Sequence, residues 1–206
     1  MKKKIVVFAS GSGSNFINIY KNIKSQNIIA DLCLLISNNP KCGAVDFAIK
    51  NKIDVFIYNS NRFIKDKNQN ILLEKLNNYK PDLILLAGYM KKISNLIANK
   101  YKYKILNIHP SLLPLYGGKG FYGMKVHNQV CKNKDKITGA TVHFIDKNYD
   151  TGPILIQEKI NLEYEETPEN IAKKVLCVEH KIYYKAVKLF CTNKIEWNNN
   201  KPLIKG

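Results

Sequence analysis

The most obvious shortage in this 206-residue sequence is arginine, because Arg62 is the only arginine among 33 basic residues. The formal net charge is still +17, and it comes from lysines that are interleaved with asparagine and isoleucine. Proteins that read nucleic acids favour arginine for contacts to bases and phosphates. An AT-biased coding sequence, which is rich in codons for lysine, asparagine and isoleucine, therefore explains the charge better than a nucleic-acid-binding surface does. The positive charge can still help to gather anionic substrates.

Long apolar runs and cysteine motifs are lacking as well. No stretch of about 18 apolar residues is present, and Met1 to Lys4 lead directly into a strand, so we expect neither a membrane span nor a signal peptide. The five cysteines form no CxxC motif, and no histidine pair has the spacing of HExxH. These absences predict a cytoplasmic protein with reduced cysteines, without a metal ion and without a membrane partner.

Strand-like and helical segments alternate along the first half of the chain. Strands are predicted over 4–9, 30–37, 54–59, 82–87 and 104–108, with helices over 14–26, 41–52, 66–80 and 92–101. Nearly continuous apolar strands suit burial on both faces, which predicts an α/β fold with a mostly parallel sheet flanked by helices. Strands over 137–145 and 152–162 add antiparallel character in the C-terminal part, and a helix from Thr167 to about Cys191 precedes a loosely ordered tail over 197–206. The length and the 45% hydrophobic content predict one domain, residues 1–206.

The segment ILNIHPSLLP, residues 105–114, is the strongest candidate for a functional site. Side chains alternate along a strand, so Asn107 and His109 point the same way while Leu106 and Ile108 fill the opposite face. Pro110 ends the strand, and open α/β sheets place their active residues just beyond the carboxyl ends of strands. On spacing alone, a strand-end histidine bonded to a loop carbonyl remains an equal or better interpretation.

Two further segments carry residues that could complete a site. SGSGSN, residues 10–15, follows the first strand and opens a helix, an arrangement that favours phosphate binding by backbone N–H groups. Asp150 lies in a predicted turn, and a carboxylate close to His109 would raise the pKa of the imidazole. We interpret His143 and His180 as packing or supporting residues because they lie inside a strand and a helix.

Six motifs in order resemble one family of enzymes. SGSGSN, LAGYM (86–90), NIHPSLLP (107–114), TGATVHFI (138–145), DTGPIL (150–155) and EHKIY (179–183) are similar to the phosphoribosylglycinamide formyltransferases, which are folate-dependent enzymes of purine biosynthesis. The SLLP segment alone is shared with methionyl-tRNA formyltransferases and formyltetrahydrofolate hydrolases, whereas the SGSGSN loop has the ribonucleotide-binding form. The resemblance implies a Rossmann-like formyltransferase fold, with residues 1–108 as the phosphate-binding half and 109–206 as the folate-binding and catalytic half.

The resemblance also implies substrates and residue roles. The formyl group of 10-formyltetrahydrofolate would pass to the amine of 5′-phosphoribosylglycinamide, with His109 as general acid/base, Asn107 stabilising the oxyanion and Asp150 holding His109 cationic. The residues implied for the ribonucleotide are Gly13, Ser14, Asn15, Phe16, Ile17 and Glu179. Those implied for folate are Lys65, Met90, Lys91, Lys92, Ile93, Asn107, Asp146 and Asp150. The enzyme would be a monomer or a homodimer.

The sequence departs from the family pattern at three places. Lys91 stands where arginine is common, Leu176 replaces a polar residue three positions before Glu179, and Arg62 competes with Lys65 as the basic folate contact. Two other functions remain open at this point. One is a hydrolase that releases formate from the same folate, and the other is a basic nucleic-acid-binding protein.

Overall fold

The mostly parallel sheet predicted from the sequence is present in the structure, a computed structural model that describes residues 1–58 and 65–205. Arg62 and the side chain of Lys65 lie outside this described part. The chain forms two compact units, Met1–Leu106 and Asn107–Gly206, and their boundary falls within the fifth strand.

The first unit is built from strands that alternate with helices. In chain order the elements are β1 (Lys3–Phe8), α1 (Ser14–Lys24), β2 (Ala30–Ser37), α2 (Gly43–Lys50), β3 (Asp54–Ile57), α3 (Lys65–Tyr79), β4 (Leu83–Leu86), α4 (Asn95–Lys100) and the start of β5 (Ile105–His109). The strand order is β3-β2-β1-β4-β5, and β1 pairs in parallel with both β2 and β4. Residues 5–8 of β1 and 83–85 of β4 are completely buried, as expected for strands covered on both faces.

Helix α4 begins later than the sequence pattern predicted. The helix was expected over 92–101, but it starts at Asn95, because the Ser94 hydroxyl accepts a hydrogen bond from the backbone N–H of Ile97 at 3.4 Å. The backbone of Ser94 is extended, so this residue caps the helix and the residues before it are not helical. Met90 to Ile93 therefore form a connection between β4 and α4 instead of a helical turn.

The second unit combines antiparallel strands with a long helix. It holds the end of β5, α5 (Met124–Lys132), β6 (Ile137–Phe144), β7 (Ile154–Asn161), α6 (Pro168–Cys191), β8 (Ile195–Asn198) and β9 (Lys201–Ile204). The strands β5, β6 and β7 are neighbours in that order, and β6 and β7 are antiparallel, as predicted. Thr167 caps α6 and Pro168 occupies its first turn, which confirms the predicted helix start.

The tail is ordered, so the prediction of a loose terminus was wrong. Strands β8 and β9 form an antiparallel hairpin, and Trp197 packs on Phe144 of β6 with ring centroids 4.7 Å apart. Asn199 and Asn200, which connect the two strands, both have positive φ. Asparagine tolerates that conformation better than most residues, and two such residues in succession make a tight hairpin turn.

Candidate active site

The end of β5 brings Asn107 and His109 into contact with the same carboxylate. Asn107 Nδ2 lies 3.5 Å from Asp150 Oδ1, and His109 Nδ1 lies 3.7 Å from Asp150 Oδ2. Leu106, which precedes Asn107, and Ile108, which lies between Asn107 and His109, are buried in the core. The two polar side chains therefore share one face of the strand, and the turn residue Asp150 is close to both.

The loop that carries Asp150 is held in a narrow range of conformations. Asp150 has a left-handed backbone with φ of 55°, and its Oδ2 accepts a hydrogen bond from the backbone N–H of Gly118 at 2.9 Å. A Cβ atom on Gly152 would collide with the carbonyl oxygen of Phe144. The Asp-Thr-Gly sequence thus lets the chain pass directly beside the end of β6 and present the carboxylate.

His143, for which a packing or supporting role was predicted, lies beside Asn107 in this site. The residue is fully buried, with Nδ1 3.0 Å from the carbonyl oxygen of Phe144 and Nε2 3.0 Å from Asn107 Nδ2. A carbonyl oxygen only accepts, so Nδ1 carries the proton and Nε2 of the neutral ring accepts from the amide. His143 therefore fixes the orientation of the Asn107 side chain, with its N–H groups facing His143 and Asp150.

The environment of His109 differs from the expectation of a cationic ring. Its side chain is 4% exposed, and burial lowers the pKa below the ordinary value, although Asp150 and the hydrogen bond to Tyr116 both act to raise it. Burial also acts to raise the pKa of Asp150, but the His143 and His109 rings and the Gly118 N–H together bring that pKa below its usual range. Asp150 thus has the predicted effect on His109, but desolvation is larger, so the pair combines a carboxylate with a histidine that is mostly neutral at neutral pH.

The SLLP segment is fixed by polar contacts to the neighbouring strands. The Thr141 hydroxyl on β6 donates to the carbonyl of Ser111 at 2.6 Å and accepts from the backbone N–H of Leu113 at 3.1 Å. Gln157 on β7 donates to the carbonyl of Leu113 and to the Thr141 hydroxyl. The turn after His109 is therefore held in place by hydrogen bonds to β6 and β7. Ser111 also stabilises this turn, because its hydroxyl donates to the Leu115 carbonyl.

In the first unit, the loop predicted to bind phosphate turns sharply into α1. Gly13 precedes the helix with φ of 80°, and a Cβ atom there would lie 2.8 Å from Cβ of Ala44, so only glycine fits without a shift. The Ser10 hydroxyl donates to Asn38 and accepts from the backbone N–H of Met90 at 3.0 Å. The start of the loop is thus tied to the residues predicted to bind folate.

The remaining predicted site residues differ in exposure. Met90 is 51% exposed and Lys91 and Lys92 are exposed, whereas Ile93 is only 6% exposed and offers mainly its backbone. Asp146 accepts from the Thr151 hydroxyl with both carboxylate oxygens at 2.9 Å, so it braces the loop that carries Asp150. Glu179 on α6 is 9% exposed.

Comparison with known proteins identifies the family. Residues 3–187 match the sequence profile of the family described as formyl transferase. The chain belongs to the formyl transferase family. The match includes Asn107, His109, His143 and Asp150, and it ends before the β8-β9 hairpin. The family assignment makes the chain an enzyme, a formyltransferase.

Individual formyl transferases resemble the chain over most of its length. It is 40% identical to the chloroplastic phosphoribosylglycinamide formyltransferase of Arabidopsis thaliana, over 100% of this chain and 71% of that protein. It is 36% identical to the phosphoribosylglycinamide formyltransferase of Bacillus subtilis, over 90% of this chain and 93% of that protein. The crystal structure of glycinamide ribonucleotide transformylase 1 from Symbiobacterium toebii superposes with a TM-score of 0.91 at 28% identity, over 100% of this chain and 95% of that one.

The described residues hold neither a cluster of metal-binding side chains nor a membrane-spanning helix. Within residues 1–58 and 65–205, no group of three or more histidine, cysteine, aspartate or glutamate side chains is placed to hold a metal ion. Among the helices in the same part of this formyl transferase, none has the length and apolar character to cross a bilayer.

Proposed function

We propose that the protein transfers the formyl group of 10-formyltetrahydrofolate to the amine of 5′-phosphoribosylglycinamide, a step of purine biosynthesis. The observation that carries the proposal is the cluster of Asn107, His109 and Asp150 at the end of β5, where an amide donor, a buried imidazole and a carboxylate meet. The names of the Arabidopsis and Bacillus relatives support formyl transfer to phosphoribosylglycinamide, and the folate donor is the one that the family resemblance implies.

The side chains suit attack of an amine on a formyl carbon. As the amine nitrogen forms the new C–N bond, the formyl oxygen takes negative charge and accepts a hydrogen bond from Asn107. The nitrogen, now positively charged, gives a proton to Nδ1 of His109, and the imidazolium passes it to N10 of the folate as the C–N10 bond breaks. The products are the formylated glycinamide and tetrahydrofolate, and His109 returns to its neutral state.

Binding roles follow from the residues implied by the family resemblance. Gly13, Ser14 and Asn15, with the backbone of Phe16 and Ile17, would hold the phosphate at the start of α1, because the first N–H groups of a helix favour an anion. The N–H of Ile17 already donates to the Gly13 carbonyl at 2.8 Å, so the earlier residues of the loop would supply the main contacts. Glu179 would bind the glycinamide or ribose end. Residues 90–93 would contact the folate mainly through backbone atoms, together with Asp146, Asp150 and Lys65. The enzyme would work in the cytoplasm as a monomer or homodimer, without a nucleic-acid or membrane partner.

An acceptor-dependence assay separates this proposal from its alternatives. With both substrates present, we expect tetrahydrofolate to form at the same rate as formylated glycinamide ribonucleotide, and omission of the acceptor should stop both. Consumption of formyl-folate that continues undiminished without acceptor would instead identify a hydrolase. Salt-sensitive binding to duplex DNA or RNA, with no response to folate, would identify a nucleic-acid-binding protein.

Replacement of Asp150 by asparagine should shift the pH dependence of kcat. Asp150 raises the pKa of His109, so loss of its charge should lower that pKa further. Because neutral His109 accepts the proton, activity falls as the pH drops through this pKa, and the acidic limb of the profile should move to lower pH. The profile of kcat against pH measures this shift, with Asp46→Asn, an exposed aspartate on α2, as the control. An unchanged limb in Asp150→Asn would leave Asp150 with a turn-forming role only.

A further inference from the structure

The turn Tyr116-Gly117-Gly118 contacts both members of the His109 and Asp150 pair. The carbonyl oxygen of Tyr116 lies 2.7 Å from Nε2 of His109, and the backbone N–H of Gly118 donates to Asp150 Oδ2 at 2.9 Å. A carbonyl oxygen only accepts, so Nε2 of His109 carries a proton in both charge states of the ring. In the neutral ring, Nδ1 is therefore the nitrogen with a lone pair, and it faces Asp150.

The backbone of this turn is strained at Tyr116. The residue has φ of 52°, in the left-handed region that residues other than glycine rarely adopt. The following glycine is constrained by space, because a Cβ atom on Gly117 would lie 2.6 Å from a methyl carbon of Leu113. A strained turn needs contacts outside the backbone to keep its carbonyl directed at His109.

The side chain of Tyr116 provides those contacts at its far end. Its hydroxyl donates to Asp135 Oδ2 at 2.5 Å and accepts from Asn133 Nδ2 at 2.7 Å. Both partners belong to the end of α5, where Asn133 caps the helix and the backbone N–H of Asp135 bonds to the carbonyl of Val130. The tyrosine thus links the helix terminus to the carbonyl that contacts the imidazole.

We propose that Tyr116 is a positioning residue that, anchored by Asp135 and Asn133, holds the proton of His109 on Nε2 and so confines proton exchange during formyl transfer to Nδ1. This inference rests on the proposed function for its role in the reaction, but the position of the ring proton can be measured without substrate. Asp135 acts through Tyr116 and touches neither substrate nor the imidazole.

Three titratable groups around the ring bear on its pH dependence. Asp150 lies on the loop after β6, His143 lies on β6 and His127 lies on α5. Burial lowers the pKa of His127 to about 4, so that ring is neutral at the pH of the reaction. The hydrogen bond that His109 donates to the Tyr116 carbonyl acts to raise the pKa of His109, so loss of this bond should lower that pKa.

The test begins with the tautomer of the wild-type enzyme. Long-range ¹H–¹⁵N correlation spectra of the ¹⁵N-histidine-labelled full chain should show neutral His109 with its proton on Nε2. A neutral ring with the proton on Nδ1 would overturn the inference, whatever the enzyme does in an activity assay. If the Nε2–H form is found but acceptor-dependent transfer is absent, the proposed function fails while the positioning geometry stands.

Variants then test the anchor. Tyr116→Phe and Asp135→Ala should each lower kcat on the order of ten-fold, with the KM of both substrates changed less than about two-fold, because the reacting group is displaced while the substrates still bind. Both should populate the Nδ1–H tautomer and move the acidic limb of the kcat profile to lower pH. Asp135→Asn keeps an acceptor oxygen and should retain most of the activity. Because Asp135 acts through Tyr116, the double variant Tyr116→Phe/Asp135→Ala should lose no more activity than either single variant.

The control is Tyr164→Phe, which removes the same hydroxyl from a tyrosine that is 88% exposed in the same unit. Urea unfolding checks that the folded state of each variant persists at the assay temperature, and Asp135→Ala, compared with Asp135→Asn, tests the anchor if Tyr116→Phe is unstable. Unchanged kcat, tautomer and pH limb in both Tyr116→Phe and Asp135→Ala would refute the positioning role. An increase in KM alone would refute it as well.

Discussion

Replacement of His109 by alanine is expected to lower kcat by about two to four powers of ten, the usual contribution of a general acid/base group. The reason is the position of Nδ1, which lies beside Asp150 in a buried site where the neutral ring can accept the ammonium proton. Substrate affinity should change much less, since the imidazole acts on charge that develops during the reaction. Rapid-quench measurement of a single turnover reports the chemical step directly.

Chemical rescue makes the His109→Ala prediction specific. The variant leaves space where the ring was, so added imidazole should restore part of the lost rate in a concentration-dependent way. The same imidazole should not restore Asn107→Ala, which retains its own histidine, and that variant serves as the matched control. Near-normal turnover of His109→Ala would remove the residue from the mechanism.

The architecture was predictable because burial leaves a direct trace in the sequence. Strand β2 was predicted at its observed bounds, since it is mostly apolar and is followed by Asn38 and Asn39. The β8-β9 hairpin was not predicted, because its asparagine-rich turn resembles a disordered tail in composition. The succession Asn199-Asn200 between Trp197 and Leu203 was the available signal, because positive φ at two adjacent asparagines is typical of tight hairpins.

The site was only partly predictable, because its contacts join distant parts of the chain. Asn107 and His109 follow from strand alternation, a local rule, whereas the contact between Asn107 and Asp150 spans 43 positions. His143 was assigned to packing or support because an apolar strand gives no sign of which side chain faces a neighbouring polar residue. The net pKa of His109 depends on burial, which spacing in the sequence does not report.

The amide of Asn107 has two N–H groups with different partners. One donates to Nε2 of His143 at 3.0 Å, and the other points at Asp150 Oδ1 over 3.5 Å, at the limit of a hydrogen bond. Breaking the weak contact of the second N–H to Asp150 therefore costs little free energy, whereas the hydrogen bond of the first N–H to His143 holds the amide in place. An oxyanion formed beside Asp150 would be a stronger acceptor at short range than this long contact, so we assign the second N–H to the transition state.

Replacement of Asn107 by alanine should accordingly lower kcat by about two to three powers of ten, the usual cost of losing one oxyanion donor. Asn107→Asp should be at least as slow, because it removes both N–H groups and places a second carboxylate beside Asp150. Single-turnover rates measure both effects, with Asn170→Ala, an exposed residue in the first turn of α6, as the control. If Asn107→Ala kept a normal rate, the oxyanion would have to take its hydrogen bond from another donor.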